Sequence, residues 1–273
     1  MAKPLLDDAL WTIIEPLISV KPCRFKHPGR KRVPDRACLT GILFVLLTGI
    51  QWEMLPREMG CGCGMTCGRR LAEWQREGVW QKIHETLLAK LHAATQIDWS
   101  RAVVDSSSVR AGRGGDARGP NPTDRAKPGS KHHVLTDAQG TPLVAVVTAA
   151  NVNDGTMLLP LIDAIPKVRG RVGAPRHRPD SVTADKAYHV HDRAIDLWIR
   201  GVEPVLPRRG GPDTDELGQG PGRVRWVVER TIAWPHQFRR LRVRHERRAD
   251  IHQAFLTLGC ILICFRTLDP LFC

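Results

Sequence analysis

Three carboxylates in this chain occupy positions where their chemistry would be useful. Asp105 ends the apolar run Val103–Val104, Asp185 ends the run Val182–Ala184, and Glu229 lies on an apolar, arginine-rich segment with helical character. Hard cations such as Mg²⁺ prefer oxygen ligands, and two such ions about 3.5–4 Å apart align a nucleophile with a phosphodiester and stabilise the developing charge. The three residues therefore predict a metal site that cuts or joins nucleic acid.

Each carboxylate also has an ordinary structural explanation. Asp105 could be a turn residue, Asp185 could pair with Lys186 at the surface, and Glu229, between Arg225 and Arg230, could form a salt bridge along a helix face. Their placement on a strand, a second strand and a helix, in that order, favours one shared site over three unrelated positions.

The charge of the chain is consistent with a polyanionic partner. Its 273 residues contain 41 Lys and Arg against 28 Asp and Glu, a formal net charge of +13. Nine arginines and only two glutamates lie between Arg223 and Arg248. An excess of this size favours nucleic acid as the partner, with a merely soluble basic protein as the alternative.

The sequence predicts a cytoplasmic protein without a membrane segment. Residues 1–4 lead directly into an amphipathic segment, so we expect no signal peptide. The apolar run Ala37–Ile50 is too short to span a bilayer and fits a buried helix. Eight cysteines without a secretory leader predict reduced thiols, and the spacing of Cys61, Cys63 and Cys67 does not match paired zinc ligands.

Periodicity predicts helices throughout the first third of the chain. Apolar residues recur at helical spacing from Leu6 to Leu17, and Pro34 suits the first turn of a second helix. Thr66 could cap a third helix, and Gly78 should separate it from a fourth. This pair of helices resembles a helix-turn-helix, with Arg69 and Arg70 available to DNA phosphates, so residues 1–97 are predicted to form a helical DNA-binding domain.

The pattern changes at residue 98 to alternating strands and helices. Two Gly/Pro-rich segments, from Arg110 to Ser130 and from Pro207 to Gly222, have no periodicity and predict long loops. The remaining segments predict the order β-β-β-α-β-α-β-α: strands at 102–105, 132–136, 142–148, 181–184 and 203–206, and helices at 158–165, 192–200 and 223 onward, closed by a helix at 251–265. This is the order of an RNase H-like fold with a mixed sheet, so residues 98–273 are predicted to form an α/β catalytic domain.

Several motifs of the chain together resemble bacterial insertion-sequence transposases of the DDE class, in particular the insertion-sequence-five family. The resemblance extends from about Trp11 to Leu268. Its most specific segments are Val103–Ser108, Gly129–Gly140, Ala150–Asp154, Ala184–Asp185, Arg225–Arg230 and Phe238–Leu241.

The resemblance implies that Asp105, Asp185 and Glu229 form a catalytic triad that binds two Mg²⁺ ions, with Mn²⁺ as a substitute. It implies an enzyme that binds the terminal inverted repeats of its element, cuts there and joins the 3′-OH to target DNA as a homodimer or larger oligomer. Basic residues expected to contact DNA, from the resemblance and from their positions, are Arg69, Arg70, Lys131, Arg225, Arg239 and Arg240.

This chain departs from the family pattern at three positions. His236 replaces a stronger cation seven residues after Glu229, Pro235 replaces an apolar helix former, and Gly68 replaces a large aromatic residue. Proline inside a helix costs about 3 kcal/mol, so we expect the helix to kink or end near Trp234. These departures leave a decayed transposase or a DNA-binding repressor as the alternative function. A recombinase with Tyr188, the only tyrosine, as nucleophile is a further alternative.

Overall fold

The computed structural model describes residues 4–21, 31–188, 191–206 and 222–269. Its first part is helical, as predicted. Gly78 has a left-handed backbone (φ 68°) and separates the third helix from the fourth, whereas the third helix begins at Gly64 with Cys63 at its cap. The predicted cap at Thr66 is wrong, because Thr66 lies inside the first turn with its hydroxyl 3.2 Å from Cys63 Sγ. The helices are α1 (Asp8–Ile14), α2 (Asp35–Thr48), α3 (Gly64–Arg76) and α4 (Val79–Ala93).

The second part is built on one mixed sheet. Its main strands lie in the order β4-β3-β1-β5-β6, in which β4, β3 and β1 are antiparallel while β1, β5 and β6 are parallel. This arrangement of the sheet, with helices on both faces, is the predicted RNase H-like fold. The strands are β1 (Ala102–Ala111), β2 (Gly119–Pro120), β3 (Pro128–Asp137), β4 (Pro142–Ala149), β5 (Ser181–Thr183), β6 (Glu203–Val205) and β7 (Val243–Arg244).

Strand β1 is longer than its sequence indicates. The prediction ended it at Asp105, but the strand continues for six more residues and pairs with β3 from Ala102 opposite Asp137 to Arg110 opposite Gly129. The polar run after Asp105 lacks a strand pattern of its own, and the hydrogen bonds to β3 impose one. Asp105 therefore lies within a strand rather than at its end.

Helices pack against this sheet. They are α5 (Leu158–Asp163), α6 (His191–Ile199), α7 (Gly222–Gln237), α8 (Arg239–Arg242) and α9 (Ala249–Leu268). Within the described residues, α9 is the one helix long and apolar enough to span a membrane, yet 72% of its apolar window is buried, as in a core helix. It packs against α3, α4 and β4, so the apolar core is continuous between the N-terminal helices and the sheet. The division between residues 97 and 98 stays a prediction.

Gly68 packs against Trp52. A Cβ on Gly68 would lie 3.4 Å from the Trp52 indole, an ordinary van der Waals contact, so the packing accommodates glycine without requiring it. Trp52 in turn stacks on Phe255 of α9, with ring centroids 5.9 Å apart.

Helix α7 passes through Pro235 and ends at Gln237, so the predicted end near Trp234 is three residues too early. The backbone turns at Phe238 and resumes as the separate short helix α8. The predicted loop between Pro207 and Gly222 lies outside the described residues, except for Gly222, which opens α7.

Candidate functional site

Two of the three predicted carboxylates follow matching positions on adjacent parallel strands. Val103 of β1 pairs with Thr183 of β5, and Asp105 and Asp185 each follow two residues later. Adjacent strands lie about 4.8 Å apart, so this register places the two aspartates side by side where the strands begin to separate. Both are half-buried, and each accepts a backbone N–H through Oδ1: Asp105 from Ser106 and Asp185 from Ala187, both at 2.8 Å.

Tyr188 lies against these aspartates. Its side chain is 1% exposed, and burial is the main cause that raises the pKa of its phenol well above the ordinary value. The carboxylates of Asp154, Asp105 and Asp185 raise that pKa further. Tyr188 is therefore a buried, neutral phenol, which is a poor nucleophile for DNA.

Glu229 lies on the exposed side of α7. It precedes His236 by seven residues, about two helical turns, so both side chains leave the same face of the helix. His236 Nε2 lies 3.3 Å from Ser107 Oγ, and Ser107 shares a face of β1 with Asp105. The Glu229 face of α7 is therefore turned toward the Asp105 face of β1.

The carboxylates are not assembled as a ligand set in this structure. In the part of the chain that the structure describes, no group of three or more His, Cys, Asp or Glu side chains has the geometry to hold a metal ion. The convergence of Glu229 on Asp105 and Asp185 stays a prediction.

Asp154 organises a polar network on the opposite face of β1. Its Oδ1 accepts hydrogen bonds from Ser106 Oγ and Lys131 Nζ, both at 2.8 Å. Lys131 also donates to the carbonyl of Val152 at 2.9 Å, and its side chain is 12% exposed. Lys131, predicted to contact DNA, is therefore held inside the fold. The predicted helix cap nearby is confirmed at Asn153, whose Oδ1 accepts the N–H of Gly155.

The sequence did not single out Asp154 for this role. One signal was available, since Ser106, Lys131 and Asp154 all fall inside the motifs that carry the family resemblance.

The other predicted DNA contacts differ in their access to a ligand. Arg69 and Arg239 are exposed, as a phosphate contact requires. Arg70 is 4% exposed and forms ion pairs with Asp35 and Glu73, so its predicted phosphate contact is incompatible with this packing. The side chain of Arg225 lies outside the described residues.

The predicted DNA contact of Arg240 is also incompatible with the packing. It is 6% exposed, its Nε donates to Glu246 Oε1 at 2.7 Å, and its NH1 donates to the carbonyl of Ile50 beyond the end of α2 at 2.8 Å. Glu246 Oε2 lies 3.3 Å from His252 Nδ1, and His252 Nε2 lies 2.8 Å from His132 Nε2. Arg240 therefore belongs to a buried polar chain that links the N-terminal helices to the sheet.

His236 lies close to Ser107 of β1, but its ring carries no positive charge at pH 7. Burial is the first cause, and the Arg242 guanidinium the second, that lower its pKa below the ordinary histidine value. The ring is therefore neutral at pH 7 and serves as a hydrogen-bond partner of Ser107.

Trp226 is 51% exposed, with the Arg230 guanidinium 4.7 Å from its ring centroid.

Two family models match the chain, and they cover its two parts. Residues 6–84 match the family described as "Putative transposase of IS4/5 family (DUF4096)", and residues 100–265 match the "Transposase DDE domain".

Two relatives come from Burkholderia cepacia. The "Putative transposase for insertion sequence element IS402" is 59% identical over 168 residues, which are 62% of this chain and 76% of the relative. The "Insertion element IS402 uncharacterized 16.2 kDa protein" is 63% identical over 123 residues, which are 45% of this chain and 84% of the relative.

Among solved structures, the chain is similar to two that contain the Mos1 transposase. A pre-cleavage Mos1 transpososome shares 11% identity with a TM-score of 0.29, covering 90% of this chain and 82% of the other. A Mos1 paired-end complex with the left transposon end shares 12% identity with a TM-score of 0.31, covering 88% and 81%. Scores this low carry no structural argument.

Proposed function

The chain belongs to the IS4/5 group of DDE transposases, and we propose that it binds the terminal inverted repeats of its own insertion sequence, cuts the DNA there and joins the freed 3′-OH to target DNA. The observation that carries this proposal is that Asp105 and Asp185 each lie two residues beyond the Val103–Thr183 pair of the adjacent parallel strands β1 and β5. Two carboxylates side by side at a sheet opening, in a chain of net charge +13, suit phosphodiester chemistry on a polyanion.

The donor set fits a divalent cation, the class of cofactor that DDE transposases use. Asp105, Asp185 and Glu229 would hold it, and we propose Mg²⁺, with Mn²⁺ accepted by the same oxygen ligands. When bound, two such ions supply charge stabilisation on the phosphate and an activated oxygen nucleophile.

The protein's own residues orient the carboxylates and exclude a protein nucleophile. Backbone N–H groups hold one oxygen of Asp105 and one of Asp185, which fixes the direction of the remaining oxygens. Tyr188 stays protonated and buried. We therefore propose that water attacks first and the DNA hydroxyl second, with no covalent bond between protein and DNA.

The proposed partners are DNA ends and target DNA, in the cytoplasm. Arg69 on α3 and Arg239 on α8 are exposed and suit phosphate contacts. Because two ends of one element must be joined to one target, we propose a homodimer or larger assembly on DNA.

The test is cleavage of a duplex that carries the end of the element, with Mg²⁺, by the parent protein and Asp105→Asn. Several kcal/mol of transition-state stabilisation should be lost, so cleavage should fall on the order of 1,000-fold. DNA affinity should be retained, because it comes mainly from Arg and Lys contacts to phosphates. The matched control is Asp180→Asn, an exposed aspartate just before β5, which should cleave like the parent.

Retained Mg²⁺-dependent cutting by Asp105→Asn would refute the site. Sequence-specific binding by the parent without any cutting would support the alternative, a decayed transposase or a repressor that retains DNA binding alone. The absence of an assembled three-ligand group among the described residues is the observation that keeps this alternative open.

A further inference from the structure

One edge of β1 is uncovered beside Asp105. On this edge β5 pairs with β1 up to Val103, and β7 pairs with it again from Arg110. In the described chain no strand covers residues 104–109 on that side, although β3 pairs with the other edge throughout. At about 3.3 Å per residue the opening is about 20 Å long, and Asp105 lies at its beginning. We call residues 104–109 with this opening the β1 gap.

A groove of about 670 Å³ lies along the β1 gap. Hydroxyl, amide and charged side chains line it, and none of the lining residues is aromatic. Its volume lies in the range of pockets that hold small ligands, so it suits a few nucleotides of one strand. Without an aromatic side chain it offers no platform on which bases could stack.

The three serines of the gap are not equivalent. Ser106 Oγ donates to Asp154, and Ser107 Oγ is bonded to His236. Ser108 is half-buried, and its hydroxyl has no hydrogen-bond partner among the residues described.

The backbone of Ser108 also faces the gap. Along this edge the N–H of Ser106 bonds to the Asp105 carboxylate, and the N–H of Gly112 bonds to Arg244 of β7. Because N–H groups alternate between the two edges of a strand, the N–H of Ser108 points to the same side. Ser108 thus presents an N–H and an O–H together, which is a suitable donor pair for a phosphate oxygen.

Two arginines supply positive charge at the far end of the groove. Arg242 is exposed, and its Nε donates to the carbonyl of His236 at 2.6 Å, which orients the guanidinium beside the lining. Arg110 is exposed and paired with Asp124, with Arg110 Nε 2.7 Å from Oδ2. A phosphodiester chain could be held by Arg242 directly and could draw Arg110 away from Asp124.

We propose that the β1 gap binds the sugar-phosphate backbone of one unpaired DNA strand, in the few nucleotides next to the phosphate held at Asp105. This rests on the proposed function. Ser108 and Arg242 contact successive phosphates, and the contact is independent of base sequence because neither the serine donors nor the arginine meets a base edge.

The test replaces single phosphates by uncharged methylphosphonates. End duplexes carry one such linkage at the first, second, third or sixth phosphate on either side of the cut. Binding is measured with Asp105→Asn, so the readout does not depend on cleavage. A neutral linkage at one of the first three positions, on one side, should weaken binding about tenfold, and the sixth should have no effect.

The variants Arg242→Gln and Ser108→Ala then identify the contact. Arg242→Gln should weaken binding of unmodified DNA about tenfold and should abolish the further loss from the neutral linkage at its own position, because a contact already lost cannot be lost again. Ser108→Ala removes the hydroxyl but keeps the backbone N–H, so it should weaken binding by less and should reduce that further loss at its own position. Arg176→Gln, an exposed arginine paired with Asp180 at the other end of the sheet, is the control and should keep the full sensitivity.

Full sensitivity in Arg242→Gln and Ser108→Ala, or equal effects at all four positions, would overturn the proposal. Failure of the proposed function gives a different pattern, in which the unmodified parent neither cuts nor prefers end DNA over unrelated DNA. An equal effect in fully paired and unpaired strands would assign the gap to duplex DNA and also overturn it.

Discussion

Two polar regions lie next to β1. They contain the same kinds of residue, but their side chains have different environments. The buried arginine cluster consists of His132, Arg240, Arg244, Glu246 and His252, and each of these side chains is less than a tenth exposed. In the β1 gap, Ser108 is instead half-buried and lines the groove, and Asp105 is half-buried at the beginning of the gap. In the cluster the donors and acceptors form hydrogen bonds with one another. In the gap the N–H and O–H of Ser108 face the groove.

These two regions show that the positive charge of an arginine does not by itself make it available for DNA. The arginine-rich stretch after Glu229 looks like one DNA-binding surface in sequence, yet its members divide. Arg244 donates to the carbonyls of Ala117 and Arg247 and to Ser130 Oγ, which closes the end of β1 against the loop before β3. Arg239, five residues earlier, is exposed. Burial and pairing, not residue type, decide which arginines remain for DNA.

The largest effect should come from breaking the buried arginine cluster. Glu246→Gln removes the charge that faces Arg240 and His252, and one partner lost from a buried pair costs about 3–5 kcal/mol. The measurement is the free energy of unfolding in urea. Asp250→Asn, which breaks the exposed pair with Arg248, should cost less than about 1 kcal/mol. Similar losses for both variants would contradict the distinction between the two regions.

The next effect is a loss of stability with acid that comes from the β3 histidines. His132 points into the buried arginine cluster, while its neighbour His133 faces the Asp154 network, and burial lowers the pKa of both, that of His133 to about 4. The folded state holds His133 neutral, so the unfolded chain binds the extra proton as pH falls below about 6.5. Stability is therefore complete above that pH and is lost progressively down to about pH 4.

At pH 5.5 His133 alone should remove about 1.4 kcal/mol relative to pH 7.5. The free energy of unfolding at both pH values, for the parent and His133→Gln, measures this. The glutamine keeps a hydrogen-bond partner for Thr148, which His133 Nε2 now contacts at 2.8 Å, but it does not titrate. An acid loss as large in the variant as in the parent would show that His133 is not the titrating group.

A smaller effect is expected where α7 joins the two regions. Pro235 removes one N–H that would bond the carbonyl of Thr231, but the helix ends two residues later, so the penalty is below that of a mid-helix proline. Pro235→Leu should add about 1 kcal/mol of stability, a rise of about 2–4 °C in Tm, and should increase end cleavage. Equal melting temperatures and cleavage rates would show that the chain already accommodates Pro235.

The smallest effect concerns Tyr188, the buried phenol at the edge of the gap. Because it is neutral and enclosed, Tyr188→Phe should change the cleavage rate by less than about threefold, under about 0.7 kcal/mol. A covalent protein–DNA adduct trapped with the parent and missing in this variant would instead support the recombinase mechanism.

Local patterns in the sequence determined the helices and the hairpin. Apolar spacing and the left-handed Gly78 place the boundary between α3 and α4, and the segment around Asp137 predicts the turn between β3 and β4. These features depend on neighbours within a few residues, which is why periodicity and turn chemistry reveal them. The order of strands and helices follows from the same signals and was sufficient to predict the mixed sheet.

Tertiary structure alone decided the length of β1 and which charged side chains are buried. Ser106–Arg110 is a strand because β3, some 20 residues away in sequence, supplies the hydrogen bonds. Arg70 and Arg240 are buried, and each forms an ion pair, with Asp35 and Glu246 respectively. The burial of an arginine depends on such a partner, and the local sequence does not show which acidic residue will lie next to it. The side-by-side placement of Asp105 and Asp185 likewise depends on the parallel register of β1 and β5, which an 80-residue separation hides from any local signal.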